Sequence, residues 1–202
     1  MRYLALGDSY TIGEGVAEHE RWPDQLARLL EPALAAAVEV TTIARTGWTT
    51  DELAGALEAA PLAPPYDLVS LLIGVNDQYR GRGVTAFARG LPPLFERAIT
   101  YAGGATGRVF VLSIPHWEWT PFARDRDVPA IGREIDAFNA MVRLLAAARG
   151  IAFLDTTDAS RDVANDPALT AADGLHPSGP LYARWAALAR PSVLGLLDPR
   201  QR

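Results

Sequence analysis

Five short apolar segments, separated by longer segments with helical spacing, constrain the fold of this chain most strongly. The third and fourth are almost continuously apolar and rich in Val, Ile and Leu, a composition typical of parallel strands that are covered on both faces. The alternation therefore predicts a parallel β-sheet with the third and fourth strands near its centre. The predicted strands are YLAL (3–6), VEVTTI (38–43), DLVSLLI (67–73), RVFVLSI (108–114) and IAFLD (151–155).

The segments between these strands predict helices, two of which carry clear start signals. A proline opens the first, and a threonine cap with Glu52 three residues later opens the second. Pro92 and Pro93 interrupt the third, and we expect them to break or restart it. The predicted helices span residues 23–37, 49–60, 86–101, 131–149 and 179–197.

The length and composition of the chain indicate a single folded unit. With 202 residues, 49% of them apolar and 21% charged, the chain can bury one sizeable core and is not expected to be disordered. No repeat, low-complexity tract or linker divides it. We expect one domain over residues 1–197 and a loose tail over residues 198–202. The number of subunits cannot be read from the sequence.

Charge and residue usage exclude several classes of function. The formal net charge is −5 and the basic residues are dispersed, so nucleic acid is not an expected partner. No apolar run approaches the roughly 20 residues that cross a bilayer, and no signal segment precedes the first strand. We expect a cytoplasmic protein, although a signal peptide that had been removed would leave no trace. The chain has no cysteine, which excludes thiolate nucleophiles and cysteine-ligated zinc; no metal or other cofactor is expected.

Polar residues and a glycine follow four of the five predicted strands, at the edge where parallel sheets bind ligands. Ser9 follows the first strand in GDSYTIGEG, Gly47 the second in ARTGWTT, and Asn76 the third in GVND. Asp173 and His176 follow the fifth strand in ADGLHPSG. Each of these residues alone is compatible with a simple cap or turn. Together they supply every group that acyl transfer through a serine requires.

That chemistry assigns a role to each of these residues. Ser9 would attack the carbonyl, His176 would take its proton and return it to the leaving group, and Asp173 would hold the imidazole tautomer. The backbone N–H groups of Ser9 and Gly47 and the side-chain amide of Asn76 would stabilise the oxyanion. The spacing predicts a catalytic site at the carboxyl edge of the sheet.

At these positions the sequence resembles the SGNH hydrolases, also called the GDSL esterase/lipase family. The resemblance rests on GDS, the glycine block at Gly47, GVND and DGLH, in the family order over residues 7–176. It implies a three-layer α/β/α, flavodoxin-like fold with a five-stranded parallel sheet in the order 2-1-3-4-5. It also implies the serine-dependent roles of Ser9, Gly47, Asn76, Asp173 and His176. Tyr10 stands where the family name has leucine. No G-x-S-x-G motif of the other large esterase fold occurs.

Aromatic residues near the same edge are candidates for the substrate pocket: Trp48, Tyr79, His116 and Trp117. For His116, no second imidazole or acid stands at metal-ligand spacing, so a metal role is not expected. Such a wall would hold an acyl chain or stack on a sugar ring, and the sequence leaves both open. No lid-like amphipathic helix is present, which favours small or single-chain acyl esters over fat droplets.

These observations predict a serine carboxylester hydrolase that acts on a small-molecule acyl ester through an acyl-enzyme intermediate. An acyltransferase that passes the acyl group to a sugar or alcohol would use the same residues. A noncatalytic binding module that kept the fold is a third reading. Flavin binding is disfavoured because the first loop lacks a Ser/Thr-rich phosphate cradle.

Overall fold

Five strands form a central sheet in the computed structural model, which describes residues 1–198. They are β1 (Arg2–Gly7), β2 (Glu39–Ala44), β3 (Leu68–Leu72), β4 (Val109–Leu112) and β5 (Ala152–Leu154). Every neighbouring pair is parallel, and the strand order is β2-β1-β3-β4-β5. The order expected from the family resemblance is confirmed. Residues 199–202 of the predicted tail lie outside the described residues.

Helices cover both faces of this sheet. The long helices α2 and α8 pack against each other, while α3, α5 and α6 form a second packed group. Right-handed crossovers place these groups on opposite faces, because the chain reverses direction in the sheet after β2. The helices are α1 (Ser9–Ile12), α2 (Trp22–Leu34), α3 (Thr50–Ala59), α4 (Val75–Tyr79), α5 (Val84–Tyr101), α6 (Val128–Ala147), α7 (Thr157–Arg161) and α8 (Gly179–Leu197).

Burial follows the position of each strand in the sheet. All residues of β3 and β4 are buried, as their continuous apolar sequences predict. Those of β2 and β5, at the two edges, are only partly buried or exposed. On the α5–α6 side, Phe87 and Phe138 stack with ring centroids 4.5 Å apart. The core therefore lies on both faces of the three central strands.

The expected break at Pro92 and Pro93 is wrong, because α5 runs continuously from Val84 to Tyr101. Each proline removes one backbone N–H from the helical hydrogen bonds. Pro93 lies on the exposed side, where water can satisfy the carbonyl of Arg89 that it leaves free. Packing compensates for the lost bonds, since residues on the inner face are buried against the sheet and α6: Phe87, Leu91, Leu94, Phe95 and Ala98.

Three short helices that the periodicity did not predict follow β1, β3 and β5 directly. They are α1, α4 and α7, each four or five residues long, too short to produce a helical repeat of apolar residues. All three begin within three residues of their strand, and α1 and α4 carry residues of the candidate site. Within residues 1–198, no helix combines the length and apolar character needed to cross a membrane.

Candidate active site

Ser9 lies at the carboxyl end of β1, where the strand turns into α1. The turn is held by Asp8, whose Oδ1 accepts a hydrogen bond from the Tyr10 N–H at 3.0 Å. Ser9 is the first residue of the short helix and its side chain is almost completely buried. Its own N–H donates to no protein acceptor within the described residues, as is usual for the first N–H groups of a helix.

Asp8 is fully buried beneath this turn. Burial raises the pKa of its carboxyl to about 8, an effect that the hydrogen bond from Tyr10 partly opposes and nearby Asp77 reinforces. At neutral pH the Asp8 side chain is therefore mainly protonated. A neutral side chain beside the serine avoids placing a second negative charge where an oxyanion would form.

Asp173 and His176 form a close pair on the loop that precedes α8. The His176 Nδ1 lies 2.6 Å from Asp173 Oδ2, and Asp173 Oδ1 accepts the backbone N–H groups of Leu175 and His176 at 2.9 and 3.0 Å. Although partial burial opposes the shift, hydrogen bonds from His176 and these backbone groups lower the pKa of Asp173. Because a carboxylate only accepts hydrogen bonds, Nδ1 carries the hydrogen of this pair, and Nε2 has no hydrogen-bond partner among the described residues.

Two further N–H donors come from the ends of β2 and β3. Gly47 lies in the loop before α3 with a φ of +85°, and its N–H has no protein acceptor in the part of the chain described. Asn76, on α4, donates one amide hydrogen to the carbonyl of Trp48 at 3.0 Å. Its second amide hydrogen has no partner among the described residues. Gly47 and Asn76 thus each keep a hydrogen-bond donor that no described protein group uses.

One cavity of about 190 Å³ joins these groups. Residues from four strand ends line it together: Ser9, Gly47, Asn76 and His176. The His176 ring also packs on Tyr10, with centroids 5.2 Å apart. Chain positions from 9 to 176 therefore meet in a single apolar-walled space at the carboxyl edge of the sheet.

The four aromatic candidates for the pocket separate into two groups. Tyr79 and Trp117 line the cavity, and their rings meet edge to face with centroids 5.8 Å apart. Trp48 and His116 are not among the lining residues. Trp48 packs partly buried against the core, so it reaches the site only through its carbonyl.

His116 is buried in a separate polar cluster. Its Nδ1 lies 2.5 Å from Glu118, and its Nε2 lies 3.2 Å from Asp136 and 3.1 Å from Arg161. These groups contact both ring nitrogens, and His116 does not line the cavity that contains Ser9 and His176. No group of three His, Cys, Asp or Glu side chains within residues 1–198 has the arrangement of a metal site.

Several wall residues were not anticipated from the sequence. Four of them are the immediate neighbours of predicted residues, and this adjacency was an available signal: Tyr10, Thr46, Val75 and Leu175. Phe122 had no such signal. Its position is set by a hydrogen bond from its N–H to Gly174 O at 3.0 Å, which ties it to the loop that carries Asp173.

Comparison with protein-family models agrees with the family resemblance found in the sequence. A protein-family model described as GDSL-like lipase/acylhydrolase matches residues 5–184. No match was found among curated proteins.

Solved structures of low sequence identity share the fold. The lipase/acylhydrolase from Enterococcus faecalis is 24% identical, with a TM-score of 0.73 over 100% of this chain and 99% of that chain. The psychrotrophic esterase EstA from Pseudoalteromonas sp., solved inhibited by monoethylphosphonate, is 18% identical, with a TM-score of 0.73 over 97% and 98%. Axe2, an acetylxylan esterase from Geobacillus stearothermophilus, is 19% identical, with a TM-score of 0.69 over 98% and 94%.

Proposed function

The chain belongs to the GDSL-like lipase/acylhydrolase family, and we propose that it is a serine carboxylester hydrolase with a Ser9–His176–Asp173 triad. The observation that carries the proposal is the joint lining of one cavity by Ser9, Gly47, Asn76 and His176. We also propose that residues 1–197 form a single SGNH-hydrolase-like domain, which the continuous sheet and shared core support.

In the proposed first step, Ser9 Oγ attacks the ester carbonyl while His176 Nε2 takes the hydroxyl proton. The His176 Nδ1–H donates to Asp173 throughout, and the carboxylate balances the positive charge that develops on the ring. The carbonyl oxygen becomes an oxyanion that accepts from the N–H groups of Ser9 and Gly47 and the amide of Asn76. Collapse breaks the bond to the alcohol, which leaves with the proton from His176.

The second step returns the enzyme to its starting state. Water attacks the acyl-serine, His176 takes its proton, and the same donors stabilise the second oxyanion. The acid is released as the proton passes back to Ser9. Hydrolysis is favoured over transfer because the cavity is accessible to water: Tyr79 and Phe122 on its wall are 49% and 37% exposed.

The cavity favours small acyl groups. Its volume of about 190 Å³ lies below the roughly 300–1,000 Å³ that pockets for larger ligands occupy. Apolar side chains such as Val75, Trp117 and Leu175 form most of its wall. Esters with a short or single acyl chain are therefore the proposed substrates.

A serine-directed phosphonate probe tests the proposal directly, as the inhibited Pseudoalteromonas esterase indicates. We expect a fluorophosphonate to label the protein once, and Ser9→Ala to abolish both labelling and hydrolysis of p-nitrophenyl esters while the protein stays folded. Ser192→Ala, at an exposed position on α8, is the matched control and should keep both. A wild-type protein that neither reacts with the probe nor hydrolyses these esters would support a noncatalytic binding module instead.

Product analysis separates hydrolysis from transfer. With a p-nitrophenyl ester and a short alcohol at low concentration, a hydrolase releases mainly the free acid. If mass spectrometry found the new ester as the main product at low alcohol concentration, the acyltransferase assignment would replace the one proposed.

A further inference from the structure

The loop between β2 and α3, residues 45–49, contains a turn whose type sets the direction of the Gly47 N–H. The Trp48 N–H donates to Arg45 O at 3.2 Å, so Gly47 is the third residue of this turn. Its φ is +85°, whereas Ala35 is the only non-glycine residue with positive φ within residues 1–198. Thr46 therefore has a negative φ, and this combination defines a type II turn.

Type I and type II turns differ mainly by a flip of their central peptide. In this loop the central peptide joins Thr46 to Gly47 and carries the Gly47 N–H. A change to type I would point that N–H in the opposite direction. The proposed oxyanion donor is therefore available only while the turn stays type II.

Arg80 holds the far side of this turn. One guanidinium nitrogen, Nη2, donates to Gly47 O at 2.6 Å, and Nη1 lies 3.2 Å from Glu52. Glu52 in turn accepts the Thr49 N–H at 2.9 Å. Arg80 thus connects the carbonyl of the glycine with the acid that caps α3. A planar guanidinium can reach both acceptors together, whereas a lysine ammonium is a single point donor.

Arg80 also connects the two donors that come from different strands. It follows α4 directly, and its N–H bonds to Asn76 O at 3.1 Å. From the same segment, the Asn76 side chain bonds to Trp48 O, and Asp77 accepts the Thr50 N–H at 2.9 Å. Several hydrogen bonds therefore join the loop to the segment that carries Asn76, while the Gly47 N–H has no acceptor among the described residues.

We propose that Arg80 is a positioning residue for the oxyanion hole. By holding the Gly47 carbonyl, in the peptide that follows the central peptide of the turn, it fixes Gly47 relative to Asn76 without touching the substrate. The inference rests on the proposed function. Arg80 does not line the cavity that contains Ser9 and His176. The side chains of Arg80 and Glu52 are 44% and 42% exposed. Exposed ion pairs of this kind contribute little to stability. The effect of losing Arg80 should consequently fall on turnover and not on folding.

The test compares Arg80→Ala and Arg80→Lys with a matched control. Arg97, on α5, forms a similar exposed ion pair at 3.0 Å with Glu58, which lies on α3 as Glu52 does. Arg97→Ala removes this pair. On p-nitrophenyl butyrate we expect both Arg80 variants to lose about 10-fold in kcat, equivalent to about 1.4 kcal/mol. Their KM should stay within about twofold, because the lost contribution acts only in the transition state. Arg97→Ala should match the wild type.

Chemical rescue adds a readout that a purely structural role would not change. Millimolar methylguanidinium should restore part of the kcat of Arg80→Ala, because the vacated position is open to solvent, and should not alter Arg97→Ala. An unchanged kcat in Arg80→Ala, or a loss in the melting temperature with no rescue, would overturn the positioning role.

A double substitution tests whether Arg80 acts through Gly47. If it does, Gly47→Ala combined with Arg80→Ala should lose no more kcat than Gly47→Ala alone. Losses that multiply would contradict the inference. An inactive wild type would overturn the proposed function together with this inference, whereas an active wild type with a fully active Arg80→Ala would overturn the positioning role alone.

Discussion

Replacing Gly47 with alanine tests the backbone geometry on which the proposed oxyanion hole depends. An added Cβ would meet Arg80 Nη2 at 3.6 Å, an ordinary contact, so the substitution is not blocked by crowding. The cost comes from the backbone, because an alanine at a φ of +85° is strained by about 1–2 kcal/mol. That strain is relieved if the turn changes to type I, which turns the N–H away.

The expected loss of turnover can be bounded from these energies. If the strain only shifts the population toward type I, the equilibrium between the two turns moves by about 5- to 30-fold, and kcat falls by at most that factor. If the N–H is lost completely, kcat falls by about 100- to 1,000-fold. Asparagine tolerates positive φ better than alanine, so activity should decrease in the order Gly47, Gly47→Asn, Gly47→Ala.

The assay is kcat on p-nitrophenyl butyrate, with KM and the melting temperature measured on the same samples. Gly55→Ala is the control: this glycine lies inside α3, and an added Cβ there meets no atom within 4 Å. It should keep full activity and gain about 0.5–1 kcal/mol of stability. A Gly47→Ala variant with kcat within twofold of the wild type, or one that matches Gly47→Asn, would refute the reasoning.

Three further predictions follow from the structure. Asp173→Asn removes the acceptor that holds the His176 tautomer and should lower kcat on p-nitrophenyl butyrate by about 10³- to 10⁴-fold with little change in KM. A loss of kcat that is explained by unfolding of the variant would contradict this prediction. Asp8 has a pKa of about 8 when folded, against 3.8 ordinarily. Between those values the folded protein holds one more proton than the unfolded chain. The contribution of Asp8 to the free energy of unfolding is therefore complete below pH about 4. It declines by up to about 1.4 kcal/mol per pH unit as the pH rises toward 8. Urea unfolding of wild type and Asp8→Asn at several pH values should show this slope only in the wild type, and parallel curves would refute it. Gly74→Ala should unfold the protein or lower its melting temperature strongly, because the added Cβ would lie 2.4 Å from the Phe87 ring and the backbone φ is +122°. Thermal unfolding measures the melting temperature, and an unchanged value would show that the Phe87 ring can move.

Sequence periodicity and the family resemblance together were enough to predict the sheet order and the edge that carries the candidate site. The reason is physical: strands buried on both faces must be apolar throughout, and parallel strands bring their carboxyl ends to one edge. The continuity of α5 through Pro92 and Pro93 was not predictable in this way. It depends on packing of the inner face, which no local propensity describes.

Side-chain direction also escaped sequence reasoning. Trp48 stands beside Gly47 in the chain, but the type II turn directs its ring toward the core and only its carbonyl toward Asn76. Phe122 is distant from every motif and reaches the cavity through one backbone hydrogen bond to Gly174. Both outcomes depend on loop geometry, which carries no periodic signal.

The span of the site along the chain, from Ser9 to His176, has a consequence for biosynthesis. A nascent polypeptide made only as far as residue 170 has every proposed oxyanion donor and the proposed nucleophile, yet it lacks both His176 and α8, the helix that packs on α2. If the proposed triad is correct, such a chain would not cleave an ester on the ribosome. On the proposed assignment, reactivity would arise only after α8 has been translated, and a serine probe would label chains that contain this helix and not shorter ones.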